Sequence, residues 1–259
     1  MRGAVRRGRR ELTVDVARPL AYPRGMSDAD VCLITGVGPG TGSALARRFA
    51  AGGYRVAMLA RSRDRLAALE REIPGARGFA CDVADPSAIA SAVAAVQREL
   101  GHPSVLVHNA VGGTFGSFLD IEPADLARNF QVNTMALLHL GRALVPAMVE
   151  AGRGVVMVTG NTSALRGKAS FAGFAPTKAA QRILAQAMAR DLGPKGVHVA
   201  YFVIDAVIDV PWTRQMYAAK PDEFFIKPAA LADEVFHVAH QDRSAWAFDV
   251  ELRPFGESW

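Results

Sequence analysis

Short apolar runs alternate with longer stretches in which apolar residues recur every three to four positions. The runs predict strands over 31–35, 55–60, 78–81, 105–108, 155–159, 197–204 and 246–252. The amphipathic stretches predict helices over 41–51, 64–72, 86–100, 172–192 and 229–240, with Asp85 or Ser87 as a cap for the third. Residues 123–151 read as one long amphipathic stretch with a break near Pro146. Strands alternating with helices of this length build βαβ units and a parallel sheet covered on both faces. The expected fold is therefore α/β, one doubly wound domain over residues 28–259 with seven mostly parallel strands. The one long irregular segment, 205–228, holds Pro211, Pro221 and Pro228 and reads as a lid or binding loop.

Composition narrows this picture. The chain has 259 residues, of which 50% are hydrophobic. That apolar share is enough for one full core and too high for a disordered chain. No apolar run approaches the roughly 20 residues that cross a bilayer, so no membrane association is expected. Cys32 and Cys81 stand inside strand-like runs with no Cys or His neighbours in ligand spacing. Neither a disulfide framework nor a metal site is expected, and buried reduced cysteines fit a cytoplasmic location. The net charge of +5 comes from residues 1–25, where seven arginines face only Glu11 and Asp15. Residues 1–27 therefore form a basic extension. It reads as a disordered arm or upstream start before Met26, as an organellar presequence, or as an anion-binding arm. It has one aromatic residue, Tyr22, and no base-stacking pattern, so no nucleic-acid partner is expected.

The turn between the first strand and the first helix carries the clearest chemistry. Thr35-Gly36-Val37-Gly38-Pro39-Gly40-Thr41-Gly42 places glycines where a tight turn, a close backbone approach and helix–sheet packing are needed. The following helix N-terminus favours anions, so the segment reads as a pyrophosphate cradle. The second strand ends in Ala60-Arg61-Ser62-Arg63, with no acid before Asp64. An acid there would bind the ribose hydroxyls of NAD. Arg61 and Ser62 instead suit a 2′-phosphate, so NADP(H) is the expected cofactor, with NAD(H) still possible. Asp82, followed by Val83, suits the adenine amine or a helix cap, and Asn109-Ala110 ends the fourth strand beneath the cofactor.

Thr35 to Gly42, Asp82-Val83, Asn109-Ala110, Asn133 and Lys178, in this order, resemble the short-chain dehydrogenase/reductase superfamily. The resemblance runs from Val31 to about Leu252. It implies a Rossmann-type sheet, a nicotinamide cofactor, a small-molecule substrate and often a homodimer or homotetramer built on the two long helices. In that family a Tyr exchanges the substrate proton, and a Lys four residues later lowers its pKa and holds the nicotinamide ribose. A Ser thirteen residues before the Tyr polarises the substrate, and an Asn positions a relay water. Asn133 and Lys178 keep their places here, but Phe174 stands at the Tyr position and Asn161 at the Ser position. Phe cannot act as a general acid. Ile204-Asp205 also replaces the Pro-Gly that the family carries after the sixth strand, which leaves Asp205 beside the nicotinamide end. Some superfamily branches that reduce enoyl thioesters also lack the tyrosine, and a subgroup with this Phe-for-Tyr pattern is similar.

The remaining candidates have plain alternatives. Asn161 polarises a carbonyl or closes a turn in Gly160-Asn161-Thr162-Ser163. Asn133 serves the relay or bends its helix. His108 and His198, inside strands, read as core residues. Asp205 and Asp209 contact substrate or cap the turn at Pro211-Trp212. Trp212, Tyr217, Phe224 and Phe225 make an apolar lid or a surface helix. Two functions follow: a reductase handing hydride from NADP(H) to a carbonyl or activated C=C bond, or a catalytically degenerate NADP(H)-binding sensor or interaction module.

Overall fold

The computed structural model describes residues 30–256. Expectations placed on the basic extension lie outside the described residues. The main sheet has the strand order β3-β2-β1-β4-β5-β6-β9 and every pairing in it is parallel. Its strands are β1 (Val31–Thr35), β2 (Arg55–Ala60), β3 (Ala76–Ala80), β4 (Pro103–His108), β5 (Gly154–Asn161), β6 (Val197–Ile204) and β9 (Asp249–Leu252). All of β1 and β6 is buried, as an inner strand covered on both faces must be. Helices α1 (Thr41–Ala51), α2 (Arg63–Glu72) and α8 (Pro228–Ala239) cover one face, and α3 (Pro86–Leu100), α5 (Ala136–Glu150) and α6 (Ala175–Leu192) the other. The chain reverses direction across the sheet between β1 and β4, and a ligand crevice opens there at the carboxyl ends of the strands.

Four expectations needed correction. The break expected near Pro146 is absent, and α5 runs through it. Pro146 removes the helical donor to the carbonyl of Arg142, and both residues are exposed, where such a carbonyl is open to solvent. The irregularity lies earlier, in a π-turn at Gln131–Met135 between α4 (Pro123–Phe130) and α5. Helix α6 starts at Ala175 rather than 172, with Pro176 in its first turn and Phe174 as the residue before it. Strand β5 runs two residues beyond the expected end, to Asn161. Gly160 permits this, because a Cβ there would stand 2.1 Å from the Tyr201 ring. Finally, 205–228 is not structureless. It holds β7 (Val207–Ile208), α7 (Pro211–Met216) and β8 (Phe225–Ile226), with β7 and β8 paired in parallel. Smaller shifts place β3 at Ala76–Ala80 instead of 78–81 and begin the last strand at Asp249.

Candidate active site

A cleft of about 720 Å³ lies across the carboxyl ends of β1–β4. Its floor is the glycine turn. Gly36 has φ +68°, and a Cβ on it would come within 2.5 Å of the Ala110 backbone. A Cβ on Gly42 would meet the Gly36 carbonyl at 2.4 Å, so this glycine lets α1 seat directly on the turn. Gly40 does something the sequence did not suggest. A Cβ there would sit 2.8 Å from the Val210 side chain, because Ile208, Val210 and Trp212 roof this end of the cleft. Helix α1 starts without a side-chain cap, and Thr41 and Gly42 line the cleft. The first N–H groups of a helix lack intrahelical partners, so this is where a phosphate finds donors.

The wall at the end of β2 is basic. Arg61, Ser62 and Arg65 all line the cleft. The Ser62 hydroxyl oxygen caps α2 by accepting from Arg65 N at 3.3 Å, which leaves the hydroxyl hydrogen free to donate. Arg65 was missed from sequence because it stands inside a helix, where a charge reads as solvated surface. Opposite lies Asp82. Its carboxylate accepts from Ala84 N at 3.0 Å and pairs with Arg128 of α4 at 2.9 Å. Burial works to raise its pKa, but these two partners outweigh it and hold Asp82 below the usual carboxylate range. Arg128, also missed, ties α4 to the segment after β3 through this pair. Val83, Asn109, Ala110, Gly36 and Gly38 line the cleft as expected. Thr35 does not. It is buried beneath, with its Oγ1 3.0 Å from His108 Nδ1 and accepting from Asn109 N and Ala110 N. Asn109 donates to Gly36 O at 3.0 Å and accepts from Thr159 Oγ1 at 3.1 Å, so it fastens β1 and β5 to β4.

The residues at the family's catalytic positions are arranged differently: none of Asn133, Asn161, Phe174 and Lys178 lines this cleft. Asn133 lies fully buried in the π-turn. Its side chain donates to Gly112 O at 2.8 Å and Thr177 Oγ1 at 2.7 Å, and accepts from Gly112 N at 3.0 Å. The π-turn leaves its carbonyl to His108 Nε2, 3.2 Å away, and Gln181 Nε2, which donates at 2.7 Å. Lys178 Nζ donates to Thr159 O at 3.1 Å and Gln181 Oε1 at 2.6 Å. Burial pulls the lysine pKa down to about 7. Burial, then the charge of Lys178, lowers His108 to about 4, so it is a neutral core residue. Gln181 was missed entirely, since a polar residue one helical turn from Lys178 carries no motif.

Phe174 is buried and packs against Phe115 and Phe171, with ring centroids 5.3 and 6.4 Å away. The loop carrying Phe115 and the loop before α6 are joined where Gly116 N donates to Ser170 O and Ala172 N to Gly116 O. Asn129 strengthens that join by donating to Thr114 Oγ1 and Gly173 O. Asn161 accepts from Ser163 N at 3.1 Å and closes the turn that follows β5. Asp205 lies outside the cleft lining, 4.0 Å from Arg166. Asp209 pairs with Arg214 at 2.6 Å, which holds its carboxyl below the usual range. Trp212 is 60% exposed at the cleft mouth, whereas Phe225 is buried and Phe224 rests on Tyr217.

Comparison with known proteins adds to this geometry. Over residues 30–219 the chain matches the family model of the short chain dehydrogenases. It is 33% identical over 168 residues to the D-erythrulose reductase of Gallus gallus, covering 64% of this chain and 67% of that one. It is 34% identical over 169 residues to a cyclic-di-GMP-binding biofilm dispersal mediator protein of Escherichia coli (strain K12), covering 64% and 68%. Among solved structures, a metagenomic short-chain oxidoreductase in complex with NADP superposes with a TM-score of 0.77 at 29% identity, over 89% of this chain and all of that one. The parallel sheet, the glycine turn at its switch point and the family match lead to one conclusion: this chain belongs to the short-chain dehydrogenase family.

Proposed function

We propose that the chain is an NADP(H)-dependent oxidoreductase that reduces a carbonyl or an activated C=C bond in a site without the usual tyrosine. The observation that carries this reading is the basic wall at the end of β2, where Arg61, Ser62 and Arg65 face the same cleft as the glycine turn. The residues fit the cofactor. Gly36 and Gly42 have no room for a Cβ, the start of α1 offers free N–H groups, and β2 ends without an acid. Arg61 and the Ser62 hydroxyl would hold a 2′-phosphate, Thr41 and Gly42 a pyrophosphate, and Asp82 the adenine amine. When bound, the nicotinamide supplies a hydride. Asn109 fixes the floor beneath it. Asn133 holds Gly112 and the loop beyond it, while Phe174 packs against Phe115 and Phe171. Asn161 keeps its side-chain amide for a substrate oxygen.

Purified protein with NADPH and a panel of ketones, aldehydes, enones and enoyl thioesters tests this reading. NADPH oxidation with at least one acceptor, abolished in Lys178→Ala, is the expected result. Unchanged turnover in Lys178→Ala would remove the lysine from the chemistry. A second reading, an NADP(H)-binding module without turnover, is favoured by the closure of Asn133, Thr177, Lys178 and Gln181 on one another. A relative named as a binding mediator protein is consistent with it. NADPH binding without oxidation across the whole panel would select it.

A further inference from the structure

Gln181 follows Lys178 by one helical turn on α6 and is fully buried. Both ends of its amide are used. Its Oε1 accepts from Lys178 Nζ at 2.6 Å, and its Nε2 donates to the carbonyl of Asn133 at 2.7 Å. That carbonyl is available because the chain makes a π-turn there. The other acceptor for Lys178 is the neutral carbonyl of Thr159. Among the described residues no carboxylate comes within ion-pair distance of this amine. A buried lysine usually has an anionic partner or gives up its proton. Here the seat is built from neutral dipoles alone.

The surrounding groups leave the amine as the one that changes charge. From β4, His108 approaches the same Asn133 carbonyl and is kept neutral. From β6, Tyr201 places its hydroxyl 3.4 Å from Gln181 Oε1, and burial holds the phenol protonated. On α6 itself, Arg182 turns outward to Asp249 of β9. Thr159 of β5 and Asn133 of the π-turn carry no titrating group. The amine is also close to the cleft, since Thr159, whose carbonyl it holds, donates through Oγ1 to Asn109, which lines it.

We infer that Gln181 is a positioning residue: its amide ties the Lys178 amine to the free carbonyl of the π-turn and seats it, without a counter-ion, just behind the cleft wall. Burial brings that amine down to about 7, so its charge behind the wall is present below neutral pH and lost above it. The cleft then holds an anionic ligand more tightly on the acid side. This last step rests on the NADP(H) reading; the seat itself does not.

Lysine ε-carbon NMR on the full chain separates the two. Lys168, Lys178, Lys195, Lys220 and Lys227 are the only lysines, so five signals suffice. The Lys178 signal is expected to titrate near pH 7. Gln181→Glu places a carboxylate against the amine and should raise its midpoint by about two pH units. Gln181→Met removes the acceptor and should lower it, and this variant carries the test if the Glu variant does not fold. A structural role alone would not give shifts of opposite sign. A wild-type Lys178 with no midpoint near pH 7, or a midpoint unmoved by both substitutions, overturns the inference. NADPH affinity measured alongside should weaken by between about threefold and tenfold from pH 6 to 9 in the wild type and stay level in Lys178→Met. Level affinity in both proteins would overturn the coupling to the cleft, whereas no NADPH binding at any pH would instead count against the cofactor reading.

Discussion

Around the ends of β1–β4 the polar groups stop at a cleft wall, whereas around β5 and α6 they bond to one another. Arg61, Ser62, Arg65 and Arg128 line open space. Asn133, Thr177, Lys178 and Gln181 form a closed set whose hydrogen bonds are made within the protein. The first half is built to receive something large and anionic. The second holds its own shape, with Lys178 seated between Thr159 and Gln181. The two sets stand on different elements, the first just after β2 and on α2 and α4, the second in the π-turn and on α6, so one can change without the other.

Substitutions that break this contrast differ in size. The largest effect is expected from Gly36→Ala, where the new Cβ meets the Ala110 backbone and φ is +68°. It should cost about 2–3 kcal/mol of stability and remove NADPH binding, as read by denaturant unfolding and fluorescence titration.

Next comes Lys178→Met. The wild-type amine has a folded pKa of about 7, below its unfolded value of about 10.4, so the folded state binds fewer protons between these pH values. The lysine therefore costs most stability below about pH 7, and that cost fades as pH rises toward about 10. Met carries no such cost. Its advantage in chemical denaturation should be on the order of a few kcal/mol at pH 6 and should shrink steadily above neutrality. An advantage independent of pH would mean that the lysine is paired or exposed in solution.

Arg61→Ala should weaken NADPH binding about 10- to 100-fold, the worth of a charge-assisted contact, and leave NADH binding unchanged. Equal losses for the two nucleotides would place Arg61 outside the 2′-phosphate site. The smallest effect belongs to Phe174→Tyr. A hydroxyl added to a ring packed on Phe115 and Phe171 should change stability by less than about 1 kcal/mol. It should change NADPH-dependent carbonyl reduction less than about tenfold, because Lys178 is already committed to Thr159 and Gln181. A larger gain would show that the catalytic half is open after all.

The contrast also explains which features could be read from the chain alone. The strand runs and the glycine turn were legible because burial on both faces of the sheet, and backbone crowding at Gly36 and Gly42, restrict residue type locally. The absence of an acid after β2 was visible for the same reason. Arg65 and Arg128 were not, since their value depends on two elements meeting across a cleft. Gln181 was invisible because its partner, the Asn133 carbonyl, is a backbone atom: a bend at Asn133 was among the readings of the chain, but not which side chain would meet its carbonyl. Pro146 suggested a break that solvent exposure made unnecessary, and Gly40 lines the cleft with the rest of the glycine turn but is also crowded by Val210, some 170 residues away along the chain. Local constraints write themselves into sequence; constraints assembled by the fold do not.

Under the proposed reading the cleft half is a working NADP(H) site, whatever has become of the other half. Equilibrium fluorescence titration of the purified chain with NADPH, and separately with NADH, tests that most directly. Binding of NADPH at least about tenfold tighter than NADH is the predicted result, the difference residing in the basic wall at Arg61. Equal affinity for the two, or binding of neither, would contradict it.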